Sequence, residues 1–424
     1  MSVQSSFRYP ATLAFAALFL GWFADVYAAA DTNPRLEQFA AVKSRQMEEL
    51  AGKLHLDVPA EARAFFKAAE AGDYVSVSNA YAHIQQLTGP FGGSTSVTGY
   101  KNALNVPIHE TWGAYEFYSW DPALLNRYAE GILGSIPANS VYLGGTDPGR
   151  FIITMFCDTT NAPISVLTPK FVVTQNALVE TRYMDYLRLT QGDRLWLPST
   201  NDMHNALQDY AASLQERQRR GEQLSPDEQV DGAGHIRGVL AVMNANGLLT
   251  RMIFNRNKEK HPFFVEESYV IGWMYPYMEP HGLILKLNNE PLASLDRHVV
   301  NDDTRYWDAL SGELLADRHF TDNIAARKTY SKLRSAIGGL YMYRRMTDNA
   351  EAAYKQALNL CPTSPEANFR LAQLYLEGSR FDDALAVMER LEGQLNPGTE
   401  QEKVSQAIRQ IQEMKRKTAE RQTP

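Results

Sequence analysis

The sequence has only two cysteines among 424 residues, Cys157 and Cys361. Two cysteines cannot form a disulfide framework, and both lie in apolar helical patterns, so we expect core positions rather than a bridge between them. Whether they are free thiols stays open. The nine histidines show no metal-binding spacing such as H-x-x-x-H, and no G-x-S-x-G or G-x-x-x-x-G-K-[ST] motif occurs. We therefore expect no metal site and no cofactor, and we assign no catalytic residue.

A basic excess is also absent, since the formal net charge is -7. This charge disfavours nucleic acid as a partner. Long hydrophobic runs are equally scarce. The longest one, Ala11–Ala24, is shorter than the ~20 residues that a helix needs to span a bilayer.

That apolar run belongs to a recognisable N-terminal pattern. Arg8 precedes it, and the small residues Ala28, Ala29 and Ala30 follow it. A positive start, a short apolar segment and an A-x-A-like end are typical of a secretory signal peptide. We predict a signal peptide over residues 1–30 and an exported, periplasmic protein. The alternative is an uncleaved N-terminus that anchors the chain to the membrane.

The next part of the chain, residues 31–99, is predicted to be a helical N-terminal segment. Apolar residues recur at helical spacing from Ala62 to Ala69, Gly72-Asp73 breaks the pattern, and Val75–Leu87 resumes it. This arrangement predicts a helical hairpin. The stretch Gly89–Gly99 is rich in Gly, Ser and Thr, and we interpret it as a loop that ends the segment.

Residues 100–300 change to a pattern of short strands alternating with helices. Strands are predicted at Val141–Leu143, Phe171–Thr174 and Arg194–Leu197, with helices at Phe151–Cys157 and Thr181–Leu189 between them. Strands that alternate with helices indicate a parallel sheet. We therefore predict a small α/β domain with a parallel sheet, flanked by helices.

Polar residues follow each predicted strand, at the edge where ligands bind in open parallel sheets. A helix N-terminus beside Arg150 would suit a phosphate or carboxylate, and glycines there would permit unusual backbone angles. The candidate ligand-binding residues are Gly144, Gly145, Thr146, Asp147, Arg150, Gln175 and Asn176, and Ser199 and Thr200 follow the third strand.

A plainer interpretation of the same loop needs no ligand. Asp147 would cap the helix, and Arg150 would pair with a local carboxylate. Glu266 and Glu267, at the end of a further predicted strand, point to opposite faces, so at most one of them could serve a site.

Residues 301–424 are predicted to be helical, and a repeat occurs within them. Two units of about 34 residues begin at Ser331 and Pro365. Small residues and tyrosines recur at the positions where paired helices pack, and a proline closes the first unit. These packing residues are Gly338, Tyr341, Ala350, Tyr354, Ala357 and Pro362 in the first unit, and Ala372, Tyr375 and Ala384 in the second.

This pattern resembles the tetratricopeptide repeat family over about residues 331–397. The resemblance implies stacked antiparallel helices and a groove that binds a protein partner. Residues Lys403–Glu420 are predicted to form a polar-faced terminal helix, as a capping helix requires.

A second resemblance concerns residues 120–290. The stretch from Val141 to Phe151 (VYLGGTDPGRF) and the segment Tyr275–Leu287 are similar to motifs in the soluble C-terminal portion of bacterial multi-pass membrane proteins related to protein O-mannosyltransferases. The membrane-spanning half of those proteins is absent here. The resemblance therefore implies an accessory domain, with a membrane glycosyltransferase complex as one partner.

Two functions are compatible with these patterns. The first is an exported scaffold or adaptor that binds a protein partner through the repeats. The second is a binding or catalytic module for an activated sugar or other phosphorylated ligand at the loop Gly144–Arg150, linked to envelope glycosylation. Neither the partner nor the oligomeric state follows from the sequence, and no reaction can be assigned.

Overall fold

The computed structural model of the chain describes residues 33–88, 102–159, 170–266 and 271–422. The predicted signal peptide and the predicted loop 89–99 lie outside these residues. The described parts are mainly helical, with one five-stranded sheet and one two-stranded sheet. None of the helices in these ranges has both the length and the apolar character that a membrane crossing requires.

The helices, in chain order, are α1 (Pro34–Leu54), α2 (Ala60–Glu70), α3 (Tyr74–Thr88), α4 (Asn105–Tyr115), α5 (Pro122–Leu133), α6 (Ile153–Asp158), α7 (Thr181–Gln191), α8 (Thr200–Arg219), α9 (Val239–Asn257), α10 (Arg297–Ala316), α11 (Arg318–Thr321), α12 (Ile324–Tyr343), α13 (Thr347–Leu360), α14 (Pro365–Glu377), α15 (Phe381–Glu392) and α16 (Thr399–Gln422). The strands are β1 (Ser140–Gly144), β2 (Lys170–Thr174), β3 (Gln229–Val230), β4 (Ile236–Arg237), β5 (Phe263–Glu266), β6 (Met278–His281) and β7 (Ile284–Leu287).

The N-terminal helices pack around the helical hairpin that the sequence predicts. Helix α1 begins at Pro34, and the side chain of Asn33 caps it by accepting a hydrogen bond from the Arg35 amide. Gly72 has a φ of +70° between α2 and α3, a conformation that costs glycine nothing. The apolar stripe of α2, which includes Phe65 and Phe66, is buried. This stripe joins α1, α2, α3 and α4 into one packed unit.

The large sheet has the strand order β2-β1-β5-β7-β6. Strands β2, β1 and β5 are parallel, and β6 and β7 form an antiparallel hairpin beside β5. All five residues of β1 are buried, which is typical of a central strand covered on both faces. The predicted α/β fold class is confirmed, but the sheet is mixed rather than purely parallel.

The third strand predicted at Arg194–Leu197 is wrong. These residues form no strand, because the backbone of Trp196 makes hydrogen bonds with a side chain instead of with a neighbouring strand. Asn257 of α9 accepts from the Trp196 amide at 2.9 Å and donates to its carbonyl at 2.9 Å. The third parallel strand of the sheet is β5, which pairs with β1.

Helices α12 to α16 form the C-terminal array. The residues predicted to pack between its helices are buried, including Ala350, Ala357 and Ala384, except for Pro362, which is half-buried. Helix α14 begins at Pro365, where the second unit was predicted to start. One side of α16 is buried, and its residues recur at helical spacing: Val404, Ala407, Ile408 and Ile411. This side packs against α15 and covers the apolar face that α15 would otherwise expose.

The first array helix is joined to the α/β domain by Arg344. Its guanidinium group donates to the backbone carbonyls of Leu292 at 2.7 Å, Pro276 at 2.7 Å and Tyr275 at 3.2 Å. The ring of Tyr275 also lies 5.1 Å from that of Tyr343, measured between centroids. One end of the array is therefore held against the hairpin of β6 and β7.

Gly338 lets helices α12 and α13 approach closely, and this makes a testable prediction. A Cβ at this position would lie 2.5 Å from the ring of Tyr354. We expect Gly338→Ala to lower the free energy of unfolding by about 1–2 kcal/mol, because overpacking outweighs the better helix propensity of alanine. Denaturant unfolding followed by circular dichroism measures this change.

Gly312 of α10 is the matched control, since nothing lies within 4 Å of a Cβ built there. We expect Gly312→Ala to raise stability by up to ~1 kcal/mol. Equal effects of the two substitutions would contradict the close contact at Gly338.

Candidate functional site

The loop after β1 is folded around the carboxylate of Glu266, the last residue of β5. This side chain is fully buried. It accepts hydrogen bonds from the amides of Gly145 at 3.0 Å and Thr146 at 2.7 Å, and from the Thr146 hydroxyl at 2.5 Å. Burial raises the pKa of Glu266, although the bonds from Thr146 and Gly145 lower it in part. The amides of Gly145 and Thr146, two of the candidate ligand-binding residues, therefore already bind an internal carboxyl group.

The glycines of this loop provide space rather than unusual backbone angles. A Cβ at Gly149 would lie 2.0 Å from the Glu266 carboxylate, and one at Gly144 would lie 3.0 Å from the Gly149 carbonyl oxygen. Gly144, Gly145 and Gly149 are not among the described glycines with positive φ. The prediction that these glycines are needed for unusual backbone angles is therefore wrong, and the loop needs Gly144 and Gly149 because a side chain would not fit.

Asp147 and Arg150 bind each other. The Nε and Nη2 atoms of Arg150 donate to Oδ1 of Asp147 at 3.1 and 2.6 Å. Asp147 makes no capping hydrogen bond, and the hydroxyl of Thr146 accepts from the Gly149 amide at 3.1 Å instead. The residues Pro148–Ile152 form a turn of π-helix that leads into α6, a rare geometry that is frequent at functional sites.

Gln175 and Asn176 lie beside this loop, at the end of β2. The amide of Asn176 donates to the Gly145 carbonyl at 2.7 Å. Gln175 is fully buried. Within the described part of the chain, neither polar atom of the Gln175 side chain has a hydrogen-bond partner, and Asn176 Oδ1 has none. The structure thus brings the two predicted strand ends together. The side chains of Gln175 and Asn176 keep polar atoms there that have no hydrogen-bond partner among the described residues.

The third predicted strand end is not part of this edge. Ser199 is the N-cap of α8, and it exchanges hydrogen bonds with Asp202 in a capping box. Thr200 is the first residue of that helix. Because Arg194–Leu197 is not a strand, these hydroxyl groups have a local structural role.

Helix α4 contributes a face that the sequence analysis missed. His109, Trp112 and Glu116 are three and four positions apart, so they lie on one side of the helix and its C-terminal turn. The hydroxyl of Tyr81 lies 2.9 Å from Nδ1 of His109, and the Tyr81 ring stacks on Trp112 with centroids 4.6 Å apart. This spacing of polar and aromatic residues was the signal available in the sequence.

Electrostatic effects show what this face lies against. Burial, followed by the charges of Arg182 and Arg150, lowers the pKa of His109 to about 3. Desolvation, followed by the charge of Asp147, raises the pKa of Glu116 to about 7. Helix α4 packs against the π-helical turn after β1 and against α7, and we call the polar side chains at this junction the polar site. No group of side chains in the described ranges has the composition of a metal site.

The second candidate region is one side of α14 in the array. Phe369, Gln373 and Leu376 are spaced for one side of this helix. Gln373 is exposed, whereas Phe369 and Leu376 are half-buried. Tyr343, at the end of α12, is 47% exposed. Gln373 and Tyr343 thus present exposed surface on the array.

Antiparallel helix pairs with small residues at their contacts define a helical repeat protein. Residues 342–411 match the family model described as tetratricopeptide repeat, so the C-terminal part carries these repeats, a module class that binds protein partners. The match does not extend to residues 120–290, and the resemblance stated for them has no support from it. No curated protein and no solved structure matches the chain.

Proposed function

We propose that this chain is an exported adaptor that binds a protein partner through its tetratricopeptide array. The family match over residues 342–411 is the observation that carries the proposal. Export is supported by the signal-peptide pattern of residues 1–30. Stacked helix pairs of this kind form extended surfaces that hold a segment of a partner.

The array does not offer its whole inner face to a partner. A Cβ at Gly339 of α12 would lie 2.4 Å from the guanidinium group of Arg370 and 3.5 Å from the Tyr275 hydroxyl. The α/β domain and α14 therefore already cover this part of α12. We place the partner on the side of α14 that presents the exposed residue Gln373.

A photo-crosslinking residue at position 373 tests this placement. Gln373 is exposed on α14, and its side chain donates a hydrogen bond to Glu377 one turn further along the same helix. We expect the variant to yield a discrete crosslinked species in the periplasm of the native host, because the partner would lie directly against this position. Gel shift and mass spectrometry identify the product.

Asn359 provides the control, because it is exposed on α13, on the outer layer of the array. A crosslinker at 359 is expected to give no such species. The proposal fails if both positions give the same products, or if position 373 gives none while the protein is present and folded.

The second function is binding of an activated sugar or other phosphorylated ligand at the loop Gly144–Arg150. The polar site between this loop, α4 and α7 favours it. Since Glu266 occupies the amides of Gly145 and Thr146, side chains rather than the loop backbone would bind the ligand. The resemblance of residues 120–290 would make a membrane glycosyltransferase a partner, which remains an interpretation from the sequence.

A further inference from the structure

A cluster of polar side chains joins helices α1, α4, α6 and α7 below the surface. At its centre lies the ammonium group of Lys43, whose side chain is 1% exposed. It contacts the carboxyl oxygens of Glu110 and Asp158, the latter at 2.7 Å. It also donates to the Tyr186 hydroxyl and to the side-chain oxygen of Gln46, both at 3.1 Å. Four oxygens therefore surround an ammonium group that has three N–H bonds.

The hydroxyl group of Tyr186 has a similar shortage of hydrogens. Its oxygen lies 3.0 Å from Oε2 of Glu110 and 3.0 Å from Oε1 of Gln46. Tyrosine has one O–H bond, and both of these oxygens only accept when Glu110 is ionised. The Gln46 amide cannot turn its NH2 group inward, because that group would then face the ammonium group of Lys43. One oxygen–oxygen contact of Tyr186 therefore contains no hydrogen.

The cluster as a whole lacks hydrogens in its ionised form. Six contacts of 3.1 Å or less join its five side chains. Lys43 supplies three hydrogens and Tyr186 supplies one, so there are four for six contacts. One ammonium group and two carboxylates also leave a net charge of -1 in the cluster, and uncompensated charge is costly below the surface. One further proton would supply a fifth hydrogen and cancel that charge.

We propose that this cluster is a proton-binding site, and that Glu110 takes up the proton as the pH falls below neutral. The proton comes from solvent and forms an O–H bond on the carboxyl group, whose side chain is 12% exposed. This O–H donates to the oxygen of Tyr186, and the Tyr186 hydroxyl then donates to Gln46. Acid thereby strengthens the junction of α1, α4, α6 and α7. The inference goes beyond both proposed functions and does not rest on them.

Glu110 is the carboxyl group suited to this role. Its Oε2 atom accepts from Tyr186, and its side chain is less exposed than that of Asp158, which is 23% exposed. Burial raises the pKa of Glu110; the charge of Lys43 opposes this shift, and that of Asp158 adds to it. Tyr183 of α7 also lies near enough for Glu110 to raise its pKa, after the larger effect of burial.

Charged and titratable groups of other elements around α4 act on a different residue of that helix. The Tyr81 hydroxyl of α3 contacts the ring of His109. The pKa of His109 is lowered by burial and by the charges of Arg182 on α7 and Arg150 on the π-helical turn. These effects concern the residue next to Glu110 in the sequence, so the titration of Glu110 is governed by the cluster itself.

The raised pKa fixes the direction of the effect on stability. A carboxyl group whose folded-state pKa lies above its unfolded value of about 4.3 favours the folded state when it is protonated. This contribution is complete below about pH 4 and is lost as the pH rises through the folded-state pKa. Glutamine at position 110 has the shape of the protonated group and stays neutral at every pH.

Thermal unfolding of the full chain between pH 4 and pH 8 tests the inference. We expect Glu110→Gln to melt nearly with the wild type at pH 4 and above it at pH 8. Asp158→Asn is the matched variant, and it should melt below the wild type at pH 8 because it removes the ionised partner of Lys43. If Glu110→Gln melts below the wild type at pH 8, and the gap narrows on acidification, Glu110 is an ionised counter-charge and the inference is wrong.

Carbon-13 NMR of the glutamate carboxyl groups measures the titration midpoint of Glu110 directly. Its signal is identified by its absence in Glu110→Gln or, should that variant not fold, in Glu110→Asp. We expect a wild-type midpoint above the ordinary value of about 4.3. Gln46→Met should lower this midpoint, because without Gln46 four hydrogens match the four remaining contacts.

Gln38→Met, at an exposed residue of the same helix, is the control and should leave the midpoint unchanged. An ordinary midpoint in the wild type would overturn the inference. So would a midpoint that Gln46→Met leaves where it is, since the shortage of hydrogens would then not be the cause of the proton uptake.

Discussion

Replacing Lys43 with methionine is expected to lower the free energy of unfolding at pH 7 by about 3–5 kcal/mol, the usual cost of removing one partner of a buried ion pair. Lys43 of α1 is 1% exposed and binds the carboxylates of Glu110 on α4 and Asp158 on α6. It also donates to the Tyr186 hydroxyl of α7 at 3.1 Å. Methionine would leave two carboxylates without a counter-charge between four helices.

The pH dependence of this variant follows from the pKa shifts. Burial opposes the charged ammonium group, but Asp158 and Glu110 raise the pKa of Lys43 well above its ordinary value. Its contribution is therefore complete below about pH 10 and is lost only above that. Burial raises the pKa of Glu110, so this carboxyl favours the folded state when protonated. Stability of the variant should fall as pH rises from about 4, the unfolded-state value, through the raised folded-state value.

Chemical denaturation of wild type and Lys43→Met between pH 4 and pH 8 measures the effect. We expect the gap between the two proteins to be widest at neutral pH and to narrow on acidification. Lys53, exposed on the same helix, is the control, and Lys53→Met should change stability by no more than about 0.5 kcal/mol. A gap that is constant with pH would argue against unpaired carboxylates as its cause.

The repeat array could be predicted in detail because its constraint is local. Gly338 must be small for Tyr354 to pack, and Ala350 and Ala357 are fully buried. Such positions recur with a fixed period, so their spacing is visible in one sequence. Pro365 also begins a helix at the predicted place, because proline fits the first turn.

The sheet was predicted less well because strand pairing is not local. The segment around Trp196 has an apolar pattern suited to a strand, but Asn257, 61 positions away, binds its backbone. The strand that does pair with β1 is β5, more than a hundred residues further along the chain. Nothing in the short-range pattern decides between the two.

The residues of the candidate site also divide into those that the local sequence identifies and those that only long-range contacts reveal. The polar residues Thr146, Asp147 and Arg150 could be selected because loops after parallel strands carry sites. The role of Glu266 could not be predicted from the sequence, since its contacts with Gly145 and Thr146 join residues about 120 positions apart. Alternation along β5 indicated only that Glu266 and Glu267 face opposite sides, and Glu267 lies outside the described residues.

The arrangement around Glu266 also explains why the loop has its sequence. Thr146 supplies an amide and a hydroxyl to the carboxylate, and its hydroxyl oxygen in turn accepts from the Gly149 amide. Any side chain at Gly149 would collide with the carboxylate. The internal carboxylate thus fixes the backbone that presents Asp147 and Arg150 to solvent, and the loop geometry depends on β5.

Glu266→Ala is expected to destabilise the protein by on the order of 4 kcal/mol, because it leaves the Gly145 and Thr146 amides and the Thr146 hydroxyl buried without an acceptor, and each unpaired group costs ~1–3 kcal/mol. Glu266→Gln keeps an acceptor oxygen for the two amides, so its loss should be about half as large. Denaturant unfolding measures both, and Glu259→Ala, at an exposed residue, should change stability by no more than about 0.5 kcal/mol. The order wild type, glutamine, alanine in decreasing stability would show that the loop is held by the acceptor oxygens. If the alanine and glutamine variants were equally stable, the hydrogen bonds to the carboxylate would not stabilise the loop, and other contacts would have to hold it in place.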